Sequence, residues 1–131
     1  DWLGDFAASS MLILDEAHRL SDPKSARTKR YLRFVAKNAP RQVAMSGTLV
    51  RKELVDYAHL AAASLREGSP TPHHHPLIEE WSQALDPTNF GMKSSIHRLR
   101  RPGEALMDAW QRRLTSTPGV VSSGDVSACQ A

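Results

Sequence analysis

The chain has 131 residues, of which 40% are hydrophobic, and this composition is enough for one modest core. No apolar run approaches the roughly 20 residues that cross a bilayer, and no basic-then-apolar leader is present, which predicts a cytoplasmic or nuclear protein that is not secreted. The single cysteine excludes a disulfide framework, and the excess behind the net charge of +3 lies entirely in residues 1–68, which have eleven basic and eight acidic side chains.

The first predicted element is a short apolar strand that ends in charged residues. The stretch MLILDEAHRL, residues 11–20, runs from four apolar residues into Asp15, Glu16 and His18. A continuous apolar run of this length predicts a strand that is buried on both faces of a parallel sheet. Such a strand has no structural reason to end in two carboxylates and a histidine, so these three side chains are candidates for a functional site.

A basic amphipathic helix follows the strand. Residues 21–23 (Ser-Asp-Pro) predict its cap and first turn, and the helical pattern continues to about Asn38. One face is mainly apolar, and the opposite face has four cations, Lys29, Arg30, Arg33 and Lys37. A solvated helix surface shows this pattern, and so does a surface that contacts a polyanion such as DNA.

A second strand and a third helical segment complete the first half. Residues 42–45 predict the strand, Ser46, Gly47 and Thr48 follow its carboxyl end, and residues 52–65 predict the helix. Strand, helix, strand and helix in alternation indicate an open parallel α/β sheet flanked by helices.

The composition changes near residue 68. The stretch GSPTPHHHP, residues 68–76, concentrates Gly, Pro and Ser and predicts a flexible linker, and its adjacent histidines lack both the spacing and the thiolate partners of a zinc site. Beyond the linker, amphipathic patterns predict one helix around Trp81 and another that begins after Pro102 and contains Trp110. Because each tryptophan lies on the apolar face of its helix, core packing is a better explanation than base stacking.

The predicted organisation therefore has three parts. Residues 1–68 form part of an α/β lobe, residues 69–118 form a small helical annex, and residues 119–131 form a short strand or a disordered tail.

The charged residues of the first half are predicted to meet at one edge of the sheet. In open α/β sheets, ligands bind beyond the carboxyl ends of the strands, where both polar clusters lie. A carboxylate such as Asp15 can hold Mg²⁺ through its water shell, and the ion neutralises triphosphate oxygens. The adjacent Glu16 can orient or deprotonate an attacking water molecule.

These residues also resemble a known family. DEAH at 15–18 and SGT at 46–48 resemble motifs II and III of the superfamily-two helicases, and DEAHRLSDPKSARTKRYL and SGTLVRKELVDYAHL resemble the Swi/Snf-like branch. The resemblance covers about residues 11–65. It implies a RecA-like α/β lobe, one of a pair, that binds ATP with Mg²⁺ and couples ATP hydrolysis to movement along duplex DNA.

The resemblance also implies residue roles. Asp15 corresponds to the magnesium ligand and Glu16 to the catalytic base. His18 would link the nucleotide site to the DNA-binding surface, together with the motif Ser46, Gly47 and Thr48.

The sequence has no G-x-x-x-x-G-K-[ST] loop for the phosphates and no second lobe. We therefore expect a fragment of a longer parent that supplies an N-terminal part and a second RecA-like lobe, and we expect the isolated chain to be inactive. Two alternatives are a non-catalytic nucleic-acid-binding module that retains DEAH and a DEAH-box RNA helicase. The RNA helicases resemble this chain only at DEAH and usually have SAT in place of SGT.

Overall fold

The structure of the chain, a computed structural model, describes residues 11–47 and 53–121. Within these ranges the fold is mixed α/β, as predicted, with two β-strands and four α-helices. In chain order the elements are β1 (Met11–Leu14), α1 (Ala26–Asn38), β2 (Arg41–Ala44), α2 (Leu54–Leu65), α3 (His75–Leu85) and α4 (Leu106–Ser116). The chain divides into two compact units, residues 1–67 and residues 68–131. Residues 122–131, most of the predicted strand or disordered tail, lie outside the described ranges.

In the first unit, β1 and β2 pair in parallel, with Met11 opposite Arg41 and Leu14 opposite Ala44. Helices α1 and α2 both contact one face of this pair through Gln42, which is 6% exposed. The Gln42 amide nitrogen donates hydrogen bonds to the Tyr31 hydroxyl of α1 and to Ser64 Oγ of α2. Burial raises the pKa of the Tyr31 phenol, and the bond from Gln42 opposes that shift. One face of the sheet is thus covered by helices.

The prediction that β1 is buried on both faces is wrong. Because side chains alternate across a strand, Met11 and Ile13 point to the face opposite Gln42, where they are 52% and 65% exposed. Val43 and Met45 are also exposed, at 42% and 47%. The apolar run that predicted two covered faces shows only the preference of these residues for burial. Whether a face is covered depends on the elements packed against it.

Helix α1 begins later than predicted. Its N-cap is Ser25, whose Oγ accepts a hydrogen bond from the Thr28 backbone N–H at 3.1 Å, and residues 21–23 precede the helix. The helix ends at Asn38 as predicted, and Ala39 adopts a left-handed conformation with φ 43°. The Arg66 guanidinium donates to the Ala39 carbonyl at 2.7 Å, which satisfies an acceptor at the helix end.

Helix α2 packs against the sheet with its apolar side. Its buried residues are Leu54, Tyr57, Ala58 and Leu60. Residue 52, the predicted start, lies outside the described ranges, and the observed helix begins at Leu54.

The second unit has a core formed by two tryptophans. The Trp81 ring of α3 and the Trp110 ring of α4 meet edge to face, with centroids 5.9 Å apart and planes at 84°. Trp81 Nε1 donates to Ser95 Oγ at 2.9 Å, so the polar atom of this buried ring is satisfied. Both rings are buried, which confirms the core interpretation and excludes them as exposed stacking platforms.

The segment predicted as a flexible linker is partly ordered. Ser69 and Thr71 are buried and hydrogen-bonded to each other, and Arg113 Nε donates to the Pro70 carbonyl at 2.8 Å. His75 and Pro76 belong to the first turn of α3, where proline is tolerated because no N–H is required there. The bond from Arg113 of α4, which the local composition does not reveal, helps to hold this segment.

Helix α4 begins at Leu106, four residues beyond Pro102, because a closed turn precedes it. In this turn the Arg101 backbone N–H donates to Glu104 Oε1 at 3.0 Å, and Gly103 has φ 78°. Arg112 of α4 contacts both Glu104 carboxylate oxygens, at 3.0 and 3.2 Å. The bonds from Arg112, and then that from Arg101, lower the pKa of Glu104 to about 2. The ionised carboxylate therefore ties the turn to the helix.

We expect the stability of the second unit to fall at acidic pH through Glu104. Its carboxyl pKa is lower in the folded chain, at about 2, than its ordinary value of 4.5. The stabilisation is therefore present above about pH 4.5 and is lost as the pH falls toward 2. Glu104→Gln should lower the Tm near neutral pH, and the difference from wild type should vanish at the acidic end of a pH series. The control is Asp108→Asn, because Asp108 is an exposed acidic residue of α4. An equal change in Tm for both variants would contradict the role of Glu104.

Candidate functional site

The two predicted motifs lie next to each other at the carboxyl edge of the parallel strands. The backbone pairing continues one step beyond the sheet, because Met45 N–H donates to the Leu14 carbonyl at 2.9 Å. The Ala17 N–H then donates to the Met45 carbonyl, also at 2.9 Å. The chain after β1 is thus attached to the chain after β2, and residues Ala17–Leu20 form a 3₁₀ turn from that point.

Glu16 has an unusual backbone conformation at this edge. Its φ of 52° and ψ of 48° place it in the left-handed region, which costs an L-residue other than glycine roughly 1–2 kcal/mol. The reversal directs the Ala17 side chain inward, where it is 1% exposed, and leaves Asp15 and Glu16 in solvent. Strained residues that are held by their surroundings cluster at functional sites. The conformation therefore marks Glu16 as a candidate for more than a structural role.

The two carboxylates differ in their contacts. Asp15 Oδ1 accepts a hydrogen bond from the Glu16 N–H at 2.9 Å, which orients the carboxylate. Oδ2 does not take part in this bond. Glu16 Oε2 lies 3.7 Å from Arg19 Nε in a solvent-exposed pair, and such pairs contribute little to stability. Both acids can therefore turn toward a ligand at low cost.

A metal ion at this edge would depend on ligands beyond the protein side chains. Among residues 11–47 and 53–121, no three His, Cys, Asp or Glu side chains are grouped closely enough to hold an ion. Mg²⁺ commonly binds through one or two carboxylates, several waters and phosphate oxygens. The exposed Asp15 carboxylate suits that mode and does not suit an all-protein cage.

A side-chain hydrogen bond connects the two motifs. His18 Nδ1 and Ser46 Oγ lie 3.1 Å apart, although 28 residues separate them in sequence. Either atom can donate, depending on the histidine tautomer. Gly47 follows Ser46, and Thr48 lies outside the described residues. A movement of Asp15 and Glu16, in the turn after β1, can therefore be transmitted through His18 to the segment after β2.

His59 of α2 is a site residue that the sequence analysis missed. Its Nε2 lies 2.5 Å from the Leu20 carbonyl, at the end of the 3₁₀ turn that contains His18. Because residues 20 and 59 are far apart in the chain, no local pattern predicts the contact. The only sequence signal is a histidine within the apolar stretch of α2.

The four cations on α1, Lys29, Arg30, Arg33 and Lys37, are exposed as predicted. None of them forms a hydrogen bond or an ion pair with Asp15, Glu16 or His18 in the described structure. Their face of the helix contains no acidic residue. They form a separate positive surface and are not part of the carboxylate cluster.

No family model, curated protein or solved structure gave a match to this chain. The local geometry can nevertheless be described chemically. A carboxylate pair on a strained turn lies beside a histidine–serine contact, all at the edge where parallel sheets bind ligands. Such an arrangement can hold a hydrated cation, orient a water molecule and transmit a change to a neighbouring segment.

We expect Ser46→Ala to alter His18 selectively. Loss of the hydrogen bond between His18 and Ser46 alone should lower the free energy of unfolding by about 0.5–1.5 kcal/mol. The nitrogen chemical shifts of the His18 imidazole should change, while those of His59, which bonds to the Leu20 carbonyl, should remain. Ser25→Ala, which removes a helix cap, is the matched control and should leave His18 unchanged. Unchanged His18 shifts in Ser46→Ala would show that the contact is not formed in solution.

Proposed function

We propose that this chain is part of an ATP-dependent DNA helicase or translocase similar to the Swi/Snf-like branch. Residues 11–65 would form the part of the first RecA-like lobe between motifs II and III. The observation that supports this most is the hydrogen bond between His18 and Ser46, which joins the two motifs on which the resemblance depends. Parallel pairing of β1 with β2 and the left-handed Glu16 are consistent with it.

In this proposal the exposed acids divide the chemistry of ATP hydrolysis. Asp15 would hold a hydrated Mg²⁺ ion, which when bound neutralises the phosphate oxygens. Glu16 would orient the attacking water and accept its proton. The backbone turn that separates the two side chains lets neighbouring residues act on different groups, and the bond from Ala17 to Met45 fixes that turn.

His18 and Ser46 would connect nucleotide state to DNA binding. His18 is attached on one side to the turn that follows the acids and on the other to the segment after β2. His59 fixes the far end of the same turn at Leu20. A shift of the turn would therefore be transmitted through His18 to Ser46.

The proposal assigns catalysis to a longer polypeptide than these 131 residues. Phosphoryl transfer depends almost entirely on positioning and charge stabilisation, and the sequence has no glycine-rich loop to hold the triphosphate. The carboxylates alone can position an ion and water but cannot align the phosphate. The test of the proposal therefore needs a polypeptide that combines residues 1–131 with such a loop and a second lobe.

In that polypeptide we expect Glu16→Gln to reduce DNA-stimulated ATP turnover by about 10²- to 10⁴-fold, because the general base is removed. ATP binding should remain within a few-fold, because the amide retains the shape of the side chain. Glu53→Gln is the matched control, since Glu53 is exposed and its side chain forms no cap hydrogen bond with α2. Turnover near the wild-type rate in Glu16→Gln would reject the catalytic role of Glu16. Absence of DNA-stimulated ATP turnover in the unmutated polypeptide would instead favour a non-catalytic nucleic-acid-binding module.

We also expect the basic face of α1 to contribute to DNA binding. Replacing Lys29, Arg30, Arg33 and Lys37 with glutamine should make the salt dependence of duplex DNA affinity shallower. The log–log slope should change by about 0.9 for each phosphate that the helix no longer neutralises. A variant in which each Lys becomes Arg and each Arg becomes Lys preserves the charge and should retain the wild-type slope. An unchanged slope in the glutamine variant would mean that α1 is only a solvated surface.

A further inference from the structure

Phe90 is the most exposed large hydrophobic residue among those described, at 99%. It follows the short 3₁₀ turn Pro87–Asn89 and precedes Gly91, whose φ of 83° permits the reversal of the chain. The Met92 N–H donates to the Asn89 carbonyl at 3.0 Å and closes the turn around Phe90. An aromatic ring fully in water contributes nothing to folding. Because single exposed hydrophobic residues are common, the support of this ring and the charges near it in the chain decide whether it can bind a ligand.

The turn that presents Phe90 is fixed on both sides. Before it, the Thr88 N–H and hydroxyl both donate to Asp86 Oδ1, at 2.9 and 2.8 Å. After it, His97 Nε2 lies 2.8 Å from the Met92 carbonyl. The ring is thus attached to an ordered support, which lowers the entropy that binding must overcome.

A positively charged segment follows Phe90 directly. Residues 93–101 contain four basic side chains and no acidic one, namely Lys93, Arg98, Arg100 and Arg101. All four are exposed, and the side chains of Lys93, Arg98 and Arg101 form no ion pair within the described structure. The bond from His97 to Met92 connects this segment to the Phe90 turn.

The nearby acids have other partners. Asp86 accepts both hydrogen bonds from Thr88, which lower its pKa, and Glu80 accepts from Ser94 Oγ at 3.2 Å. Glu104 is bound to Arg112. Asp86 and Glu80 form no ion pair with the cations of residues 93–101, and the charge of Arg101 acts on Glu104 only beside the stronger bond from Arg112. The segment that follows Phe90 therefore has an excess of positive charge.

We propose that Phe90 and the cations of residues 93–101 form a binding site for single-stranded nucleic acid. The ring would stack on an unpaired base while Lys93, Arg98 and Arg101 contact phosphates. Proteins bind single strands by this combination of an aromatic platform with backbone-directed cations. A duplex is a poorer ligand, because its paired bases are already stacked. The site lies in the second unit and extends the proposed function, which assigns duplex DNA to α1 and gives the second unit no role.

The test measures binding of a labelled oligothymidylate to the full 131-residue chain by fluorescence anisotropy. All variants have Lys29, Arg30, Arg33 and Lys37 replaced by glutamine, so that contacts of α1 do not mask the result. Sedimentation should confirm an equal oligomeric state across the series. Because no ATP is involved, the outcome is independent of the catalytic role of Glu16.

Phe90→Leu is the decisive variant, because leucine retains an apolar side chain but cannot stack. Stacking of one base is typically worth about 5- to 150-fold in affinity, so Phe90→Leu should weaken binding at least about fivefold. Phe90→Trp should retain affinity, and the tryptophan fluorescence should be quenched when the oligonucleotide binds. Met107→Leu, at another exposed apolar position, should change nothing. Equal affinity of Phe90→Leu and the parent would overturn the proposal.

The cations are tested separately. Replacing Lys93, Arg98 and Arg101 with glutamine should make the salt slope shallower by about 0.7 for each single-strand phosphate that the variant no longer neutralises. Arg100 is retained because its Nε holds the Glu104 carbonyl at 2.8 Å. A slope equal to that of the parent would also overturn the proposal.

Two other occupants give different results. Vesicles of phosphatidylserine and phosphatidylcholine test a membrane surface, to which Phe90→Leu should still bind because leucine also inserts into lipid. Vesicle binding without oligonucleotide binding would replace the proposal with membrane contact. If duplex DNA displaces the labelled oligothymidylate as well as an unlabelled single strand does, base stacking on Phe90 is rejected. Competition by the single strand alone supports the proposal.

Discussion

The candidate site depends on the extension of the parallel pairing beyond the ends of the two strands. The Met45 N–H bonds to Leu14, and its carbonyl accepts from Ala17, so one residue after β2 holds both sides of the turn after β1. Without these bonds the four residues Asp15 to His18 would have no fixed position relative to Ser46. Parallel pairing is also what brings the two carboxyl ends to the same edge, because antiparallel strands would separate them.

The unfavourable backbone conformation of Glu16 is offset by hydrogen bonds on either side of the turn after β1. The left-handed Glu16 costs roughly 1–2 kcal/mol. The bond from Ala17 to Met45 and the bond from His59 to Leu20 each contribute about 0.5–1.5 kcal/mol, which is enough to offset that cost. The acids themselves contribute little, since the pair of Glu16 with Arg19 is exposed. The anchoring atoms are therefore on the backbone and on His59, and the acids remain available for a ligand.

The sequence predicted what local patterns determine. Strand β1, the end of α1 at Asn38 and the burial of Trp81 and Trp110 follow from an apolar run, from Pro40 and from amphipathic spacing. Strand β2 was predicted at residues 42–45 and is observed one residue earlier, at Arg41–Ala44. The start of α1 was missed because several residues before it can cap a helix, and the choice of Ser25 depends on its bond to Thr28.

Other features were outside the reach of local patterns. No propensity places a glutamate in the left-handed region, and the contact of His59 with Leu20 joins residues far apart in the chain. Three members of the candidate site, Asp15, Glu16 and His18, could be named from sequence because charged and polar residues directly after an apolar strand are conspicuous. The residues that position them could not, because their partners are set only by the tertiary fold. That His18 and Ser46 lie close together was foreseeable because both follow the carboxyl ends of predicted parallel strands, and the motif resemblance pointed to the same pair.

Among the described residues, the exposed hydrophobic side chains on the sheet differ physically from Phe90. Met11, Ile13 and Val43 are part of one sheet face, and parallel sheets in folded proteins are normally covered on both faces. This exposed face is one that another element would normally cover, and any apolar side chain of suitable size can pack in such a contact. Phe90 is 99% exposed on a turn fixed by Thr88 and by His97, and the basic residues 93–101 follow it in the chain. Leucine would serve as well as phenylalanine in the first setting but not in the second, and this difference separates a packing surface from a site that recognises a planar base.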